Sequence, residues 1–360
     1  MEMVRRLDHD RLRQLVTRVF VAAGCSEAEA SEVSEHLVDS NLVGHDSHGV
    51  IRVVRYVEWL RKDMVFANRE PQVVLDEGAF AILDGRLGLG QALAARATDL
   101  AIEKATQHGI AVVGLRNSGH VGRVGAWAHR VARAGKVAIC CVNTTGFGML
   151  QAPYGGTDRR ISANPFAVGV PNPRGCDFVF DISTSTIAEG KIRLALNRGE
   201  KLPDGCIIDG DGEPTDDPEK FYSDPGSILP FGGHKGYGLA LAVDILAGAL
   251  IGASCTRPGV PQLEQGLLTV VVDPGRVQSS EAFEAEVARF LDFVKASPKA
   301  SPDGEILSPG EIEERNRAQR LADGIELDEK TFSGLLEACE SVGIDRDTAA
   351  KMVESQEGRS

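Results

Sequence analysis

The chain has 360 residues, a length that suits two domains or one large domain with an insertion. Its composition is 42% hydrophobic and 25% charged, which supports a packed core and excludes wholesale disorder. The 39 basic and 52 acidic side chains give a formal charge of −13, which opposes binding to nucleic acid or to anionic membranes. We therefore expect neither of those partners, although a local basic pocket could still bind a small anion.

The cysteines and the hydropathy of the chain bear on its compartment. No run of about 18 apolar residues is present, and the opening MEMVRRLDHDRLRQLV lacks the apolar core of a signal peptide. The seven cysteines have no CxxC spacing, and Cys140 and Cys141 are adjacent within an apolar run. This pattern predicts buried, reduced thiols in a cytoplasmic protein without a zinc site.

The predicted elements begin with helices. Apolar residues recur at helical spacing over residues 8–42, where Ser26 and Glu29 form a predicted capping box between two helices. The stretch SHGVIRVVRYVEWLRKDM is also helical in pattern. If this helix begins near Ser47, His48 and Arg52 lie one turn apart on the same face.

From residue 71 the pattern changes to alternating strands and helices. PQVVLDEGAFAILDGR reads as a β-hairpin with Glu77 and Gly78 at the turn, and the helix that follows ends at Gly109. IAVVGLRN and KVAICCVNTT read as buried strands, and the helix between them ends at Gly135. A strand, a helix and a strand in succession indicate a compact α/β core.

The remainder is rich in glycine before it becomes helical and acidic. Residues 143–232 contain short strands and many turns, and an apolar helix follows the glycine pair at 232–233. GLLTVVVD reads as a further buried strand. After Pro298, a linker of Pro, Ser and Asp leads into acidic amphipathic helices.

His120 is the first candidate for chemistry, because it lies in GHVGRVG between a buried strand and a helix. Loops at such junctions often hold catalytic groups, and a helix N-terminus suits an anion or a developing alkoxide. The alternative is that His120 caps the helix among glycines that the turn requires.

HDSHGVIR concentrates several polar groups in one short stretch. Arg52 could hold a carboxylate in a two-pronged hydrogen bond. His45, Asp46 and His48 could instead bind a metal ion, although the HExxH spacing is absent. A third interpretation is that Asp46 or Ser47 caps a helix and that the histidines are solvated.

Two further motifs suit a nucleotide. In LPFGGHKGYG, the glycines would let the backbone approach a phosphate, to which Lys235 would add a positive charge, although a tight turn before a core helix is the alternative. In DISTSTIAEGK, the hydroxyl groups after Asp181 could bind ribose or phosphate, cap a helix, or do both. Residues 88–93 resemble a Rossmann fingerprint but lack its third glycine, so a standard Rossmann site is rejected.

These motifs, in this order, resemble the malate/L-lactate/L-sulfolactate/ureidoglycolate dehydrogenase family. The matching segments span residues 40–255 and include DSHGVIRVVRYVEWL, LDGRLGLGQ, NSGHVGRVGAWA, FDISTSTIAEGKI and LPFGGHKGYGLALAVDIL. The resemblance implies a mixed α/β fold with a largely antiparallel sheet that is not a Rossmann fold. It also implies a homodimer with active sites shared between subunits. We expect residues 1–120, completed by 290–360, to form the helical substrate-side domain, and 121–289 to bind NAD(P).

The resemblance also assigns roles to individual residues. His120 would be the general acid or base, and Ser47, His48 and Arg52 would belong to the pocket for the substrate carboxylate and the nicotinamide. Asn143 would line this cleft on both the substrate and the cofactor side. The remaining cofactor contacts would come from Asn164, Pro165, Asp181, Ser183, Thr184, Gly232, Gly233, His234 and Lys235. The sequence departs from the family where ISANP replaces GTNP, and in the loop CTRPGVPQLEQG.

The function expected from this resemblance is hydride transfer between NAD or NADP and C2 of a small 2-oxo or 2-hydroxy acid. An alternative on the same scaffold is reduction of a cyclic 2-imino acid or of a diketo sugar acid. Outside this class, a metal-dependent hydrolase would use His45, Asp46, His48 and His120, and a ligand-binding protein would show no turnover. Neither explains the glycine-rich turn at 232–238 as well as a dinucleotide does.

Overall fold

The computed structural model describes residues 4–172, 175–223 and 225–353. The helices of these residues are α1 (His9–Ala22), α2 (Glu27–Leu42), α3 (Val53–Arg61), α4 (Gly90–His108), α5 (Val124–Arg133), α6 (Glu189–Arg198), α7 (Pro218–Ser223), α8 (His234–Asp244), α9 (Ser280–Lys295), α10 (Glu311–Asp323), α11 (Glu329–Ser341) and α12 (Arg346–Val353). The strands are β1 (Val4–Leu7), β2 (Gln72–Glu77), β3 (Phe80–Asp84), β4 (Ile110–Ser118), β5 (Val137–Thr145), β6 (Met149–Gln151), β7 (Ile161–Ser162), β8 (Phe166–Val170), β9 (Phe178–Ile182), β10 (Ile207–Ile208), β11 (Pro214–Thr215), β12 (Ser227–Ile228), β13 (Glu264–Val272) and β14 (Ile325–Asp328).

The largest sheet has seven strands in the order β2-β3-β4-β13-β5-β8-β9. Only β3 and β4 pair in parallel, while every other neighbouring pair is antiparallel. The late strand β13 lies between β4 and β5, so the two predicted buried strands are not neighbours. The mixed α/β class with a largely antiparallel sheet is confirmed.

Two clusters of buried side chains hold the main body together. One joins α1, α2 and α3 to α11 and α12 and contains Leu15, Phe20 and Leu335. In this half, β1 pairs with β14, so the two ends of the described chain meet. The other cluster packs α4 and α5 against the seven-stranded sheet.

The division of the chain between these clusters bears on the expected domains. β2, β3, α4 and β4 belong to the large sheet and its core, although they lie within the expected first domain, and Leu89 belongs to the other cluster. β1 pairs with β14, which joins the N-terminal and C-terminal parts of the described chain. The domain limits themselves stay predictions, and residues 1–3 and 354–360 of the expected first domain lie outside the described residues.

A third unit is small and lies around a five-stranded sheet of the order β11-β10-β12-β6-β7. Ile192 of α6 and Phe221 of α7 are buried against Ile207 and Ile228 of this sheet. The segment that leaves the small sheet leads into α8, which continues as one turn of π-helix, Ile245–Ala249. Such turns are frequent at functional sites.

Several predicted element ends are confirmed, and others are wrong. Gly109, with φ 83°, ends α4 as predicted, and the hairpin β2–β3 forms, but its turn is Gly78-Ala79. Ser26 caps α2 by accepting a hydrogen bond from the Glu29 amide. The Glu29 carboxylate, however, accepts from the Asn68 amide, so the reciprocal half of the capping box is replaced by a tertiary contact.

The cysteines and the helices complete the description. All seven cysteines are free thiols; five are buried, and Cys176 and Cys255 are partly exposed. Burial raises the pKa of Cys141 to about 11, so its thiol is protonated at neutral pH. Throughout the described parts of the chain, no helix is both long and apolar enough to cross a membrane.

Candidate active site

Residues 46–52 form two short 3-10 turns, Asp46–His48 and Val50–Arg52, rather than the predicted continuous helix. The break occurs at Gly49, whose extended backbone separates the turns, and α3 begins only at Val53. The Asn41 side chain holds both turns, because it donates to Asp46 Oδ1 at 2.6 Å and accepts from the Val50 amide at 2.8 Å. A Cβ atom at Gly49 would overlap the Asn41 amide.

Arg52 is half-buried, and its position is set by one strong hydrogen bond. Its Nε donates to the carbonyl oxygen of Ser47 at 2.6 Å, which closes the segment into a loop. The two terminal nitrogens of Arg52 have no hydrogen-bond or ion-pair partner among the described residues, so they can take up a ligand carboxylate.

His120 lies in the loop between β4 and α5, in contact with the 46–56 segment. The hydroxyl of Tyr56 is 2.6 Å from His120 Nδ1, and the rings of His48 and His120 are stacked with centroids 5.8 Å apart. The hydroxyl of Ser47 is in turn 3.1 Å from His48 Nδ1. Three of the predicted site residues therefore lie together beside Tyr56, namely Ser47, His48 and His120.

Both histidines are neutral in the ligand-free chain at pH 7. Burial is the main cause and the positive charge of Arg52 the next, and together they lower the pKa of His120 to about 3. The same two causes hold the pKa of His48 well below its usual range. A neutral imidazole can accept a proton from a hydroxyl group, and a bound carboxylate at Arg52 would favour that transfer.

The alternative in which His120 caps α5 is wrong. Arg123 occupies the N-cap position without a side-chain capping bond, and Asp181 instead accepts from the Gly125 amide at 2.7 Å. Asp181 thus lies at the N-terminus of the helix that follows His120. Burial raises the pKa of this carboxyl group, although the nearby Arg123 opposes the shift.

The segment after Asp181 contacts the glycine-rich turn before α8. Thr184 O accepts from the Phe231 amide at 3.1 Å, and the Thr186 amide donates to the Leu229 carbonyl oxygen at 2.9 Å. Gly232 and Gly233 have φ values of 57° and 63°, which favour glycine at both positions. The two predicted nucleotide motifs are therefore adjacent in space.

The segment after Asp181 and the glycine-rich turn, together called the band from Asp181 to Lys235, lie beside polar atoms that have no hydrogen-bond partner. Thr184 Oγ1 is buried without a hydrogen-bond partner, and so is Nε of Arg123. His234 and Lys235 are exposed in the first turn of α8, and Lys235 forms no ion pair with any described residue. Free N–H groups, unpaired hydroxyls and a free cation are the groups that bind the phosphates and riboses of a dinucleotide.

Asn143 and Asn164 are placed differently from the expected ligand contacts. Both are buried, and both donate to the carboxylate of Asp244 at 3.1 Å. Their amide oxygens accept from the Gly266 and Thr144 backbone amides. Because every polar atom of these side chains already has a partner, the geometry favours a role in holding α8 against the large sheet. Pro165 lies beside them, where its carbonyl oxygen accepts from Val142.

The metal alternative finds no support in the contacts of its proposed ligands. His45 binds Glu313 at 3.1 Å, and the Asp46 carboxylate binds both terminal nitrogens of Arg320. Among the residues that the structure describes, no three His, Cys, Asp or Glu side chains are grouped so that they could hold a metal ion.

Sequence reasoning missed two residues of this site, Tyr56 and Gln91. Tyr56 follows Arg52 by one helical turn and is 1% exposed, a position that apolar periodicity treats as core. Gln91 donates to the Tyr56 hydroxyl from α4 at 2.9 Å. The available signal was a glutamine within the apolar stretch LGLGQALAA, because a polar group that is buried in such a stretch requires a partner.

Comparisons with known proteins agree with this geometry. The family model described as malate/L-lactate dehydrogenase matches residues 7–336. The hydroxycarboxylate dehydrogenase B of Escherichia coli (strain K12) is 38% identical over 354 residues, which cover 97% of each chain. The solved sulfolactate dehydrogenase of Methanocaldococcus jannaschii has 35% identity and a TM-score of 0.85 over 95% of this chain and 99% of that one. A delta1-piperideine-2-carboxylate reductase from Pseudomonas syringae pvar. tomato has 31% identity and a TM-score of 0.82 over 93% and 99%.

The fold and these matches define a dehydrogenase that does not use a Rossmann domain. The chain belongs to the malate/L-lactate dehydrogenase family. It is an oxidoreductase that acts on a CH–OH group with a nicotinamide cofactor.

Proposed function

We propose that this protein transfers a hydride between NAD or NADP and C2 of a small 2-oxo or 2-hydroxy acid whose carboxylate is bound by Arg52. The observation that carries this proposal is the pair of free terminal nitrogens of Arg52 beside the stacked rings of His48 and His120. A carboxylate bound there has its C2 atom next to the imidazoles. The guanidinium supplies orientation, while proton transfer belongs to a histidine.

His120 is the proposed proton-transfer group. In the oxidative direction its neutral ring takes the proton of the substrate hydroxyl, and in the reductive direction it returns that proton to the new alkoxide. His48 and Ser47 complete the catalytic set: the Ser47 hydroxyl orients the His48 ring, which packs against His120 and borders the substrate. His120 and His48 thereby also contact the substrate.

The band from Asp181 to Lys235 is the proposed cofactor site. Asp181, Ser183 and Thr184 offer oxygen atoms for ribose. In the turn of Gly232, Gly233, His234 and Lys235, the Gly233 and Lys235 amides already donate to backbone carbonyls, so the turn offers the Gly232 and His234 amides and the Lys235 cation for the diphosphate. When bound, the nicotinamide donates or accepts the hydride. Asn143, Asn164 and Pro165 contribute to this cleft by holding its wall rather than through free polar atoms.

We propose a homodimer with shared active sites. Helix α8 and its π-helical continuation expose an apolar stripe next to the glycine-rich turn. The stripe consists of Leu241, Ile245, Leu246 and Leu250, of which Leu250 is 61% exposed. A second copy that covers these side chains would lie beside the cofactor site. For the compartment, seven free thiols suit the reducing cytoplasm.

A second candidate on the same scaffold is reduction of a cyclic 2-imino acid. The similarity to the piperideine-carboxylate reductase favours it, because an imine carbon beside a carboxylate needs the same arginine and proton donor. A diketo sugar acid would place its carboxylate in the same way.

The test is a panel of 2-oxo, 2-hydroxy and cyclic imino acids assayed with both NAD(H) and NADP(H) by absorbance at 340 nm. Turnover that requires a carboxylate next to the reacting carbon supports the proposal. Equal turnover of the matching amide or methyl ester would contradict it, because neither derivative presents an anion to Arg52.

A further inference from the structure

Gln91 is a fully buried polar residue for which the reaction described above has no use. It lies in the first turn of α4, and its Nε2 donates to the Tyr56 hydroxyl at 2.9 Å. Its Oε1 is buried and has no hydrogen-bond partner. An unpaired buried amide oxygen destabilises the fold, so a structural role alone does not account for a glutamine here.

The backbone around Gln91 is rigid and touches the His120 loop. A Cβ atom at Gly90 would overlap the carbonyl oxygens of Gly119 and His120, so α4 starts directly against that loop. The Gly119 amide also donates to the Gly88 carbonyl at 3.0 Å. Gln91 and His120 are thus held at a constant distance, with Tyr56 between them.

The hydrogen bonds between Gln91, Tyr56 and His120 can be arranged in two ways. In the first, Gln91 Nε2 donates to Tyr56 at 2.9 Å, Tyr56 in turn donates to His120 Nδ1, and the ring proton is therefore on Nε2. In the other, the amide is turned over, Tyr56 donates to Gln91 Oε1, and His120 Nδ1 donates to Tyr56. The numbers of protons are the same, but only the second leaves Nε2 with a lone pair and gives Oε1 a partner.

We propose that Gln91 is a positioning residue that selects, through Tyr56, which ring nitrogen of His120 carries the proton. The proposal rests on the proposed function, in which His120 moves the proton. In the ligand-free protein the amide has its Nε2 on Tyr56; when the substrate hydroxyl reaches His120 the amide turns over, and Nε2 of the ring then has the lone pair it needs as the base. Once Nε2 has taken that proton, Nδ1 still donates to Tyr56 and Tyr56 still donates to Oε1, so the charged ring keeps all its partners.

The groups that face His120 define what else could move its titration. These are His48 and Arg52 from the two 3-10 turns, Tyr56 from α3 and His36 from α2. A substitution at position 91 replaces none of these four residues and contacts His120 only through the hydrogen bond to Tyr56.

Two variants separate this role from simple packing. The ionised carboxylate of Gln91→Glu supplies acceptors only, so Tyr56 then donates to it and His120 carries its proton on Nδ1. Gln91→Met removes both donor and acceptor at similar volume. The control is Thr98→Val, because Thr98 is buried on the same helix and donates only to the Ala94 carbonyl.

The first measurement is the ring-nitrogen NMR shifts of His120 in the ligand-free protein, assigned with His120→Asn. We expect the wild type to have its proton on Nε2, the glutamate variant on Nδ1 and the methionine variant on both. The second measurement is the pH dependence of kcat/KM. The glutamate variant should move the limb that reports on His120 to higher pH, and the methionine variant should lower kcat at least tenfold with KM for the cofactor unchanged.

Wild-type tautomers and pH limbs in both Gln91 variants would overturn the proposal, and so would a Thr98→Val variant with the same loss of kcat. If the glutamate variant does not fold, the methionine variant decides. Failure of the proposed function is recognisable separately: His120→Asn would keep wild-type turnover, while the tautomer of the ligand-free protein would still report on Gln91.

Discussion

Arg52 donates from Nε to the carbonyl oxygen of Ser47 at 2.6 Å, so the guanidinium is anchored by its inner nitrogen and leaves its outer two free. An anchored guanidinium is a planar clamp whose direction is set before the ligand arrives. This contact joins the residue proposed to bind the acid to Ser47, whose hydroxyl is 3.1 Å from His48 Nδ1.

Arg52→Lys should raise KM for the acid about 10- to 100-fold and lower kcat much less. Lysine cannot present two parallel N–H groups to a carboxylate while keeping the Ser47 contact, and a charge-assisted hydrogen bond is worth about 1.5–3 kcal/mol. Steady-state kinetics against the acid provide the measurement. Arg55→Lys, an exposed change on the adjoining helix α3, is the matched control and should behave as wild type. An unchanged KM in Arg52→Lys would remove this residue from the pocket.

His120→Asn should lower kcat by roughly 10²–10⁴, the usual contribution of a general acid or base. Nucleotide affinity should stay near wild type, because the proposed dinucleotide site is the band from Asp181 to Lys235. Turnover and fluorescence titration with the reduced nucleotide test the two halves. A folded variant with wild-type kcat would transfer the proton role to His48.

Lys235→Ala should weaken nucleotide binding about 10-fold and leave the melting temperature unchanged. Its ammonium group is exposed and forms no ion pair with a described residue, so its removal should leave the stability of the fold nearly unchanged. A bound diphosphate would lose the attraction of one positive charge. The control is Lys62→Ala, since Lys62 is equally exposed but pairs with Glu58 on α3. Equal affinity in both variants would contradict the cofactor assignment of this turn.

His36 makes the fold sensitive to acid. Burial, and secondly the charge of Arg123, lower its pKa to about 3, and its Nε2 accepts a hydrogen bond from the Arg123 amide at 2.9 Å. Because the pKa is lower in the folded chain than in the unfolded one, this stability is complete above pH 6.5 and is lost as pH falls toward 3. Each pKa unit is worth about 1.4 kcal/mol, so the loss from this group between pH 6.5 and pH 4 is roughly 3 kcal/mol.

Urea unfolding between pH 7 and pH 4 measures that dependence. His36→Gln should be less stable at pH 7 and should lose less stability on acidification than wild type. His108→Gln is the control, because His108 is exposed at the end of α4. A His36→Gln variant with the wild-type slope would show that His36 does not carry the effect.

Leu250→Arg and Ile245→Arg should convert a dimer into monomers, because each places a charge within the apolar stripe of α8. Sedimentation velocity at micromolar concentration gives the measurement. Phe293→Arg, on the exposed face of α9, tests the competing surface and should leave the mass unchanged. A dimer that dissociates with Phe293→Arg alone would move the interface to α9.

Local patterns in the sequence predicted most of the elements and the motifs that carry chemistry. Helical spacing identified α1 and α2, glycine marked the end of α4, and the buried strands β4, β5 and β13 were evident from their apolar runs. These features depend on residues close in sequence, where spacing and backbone preference act directly. The same locality explains one error: the spacing of His48 and Arg52 suggested one helix, but the distant Asn41 side chain fixes two 3-10 turns.

Only the tertiary structure decided how distant segments meet. Sequence order could not show that β13 inserts between β4 and β5, or that Tyr56 and Gln91 stand behind His120. Nor could it show that the amides of Asn143 and Asn164 are used internally by Asp244. Each of these contacts joins residues tens of positions apart, and a buried hydrogen bond between such residues leaves no periodic trace in the chain. The motifs therefore indicated the chemistry of the site. The residues that hold His120, namely Tyr56 and Gln91, became evident only from the packing of the tertiary structure.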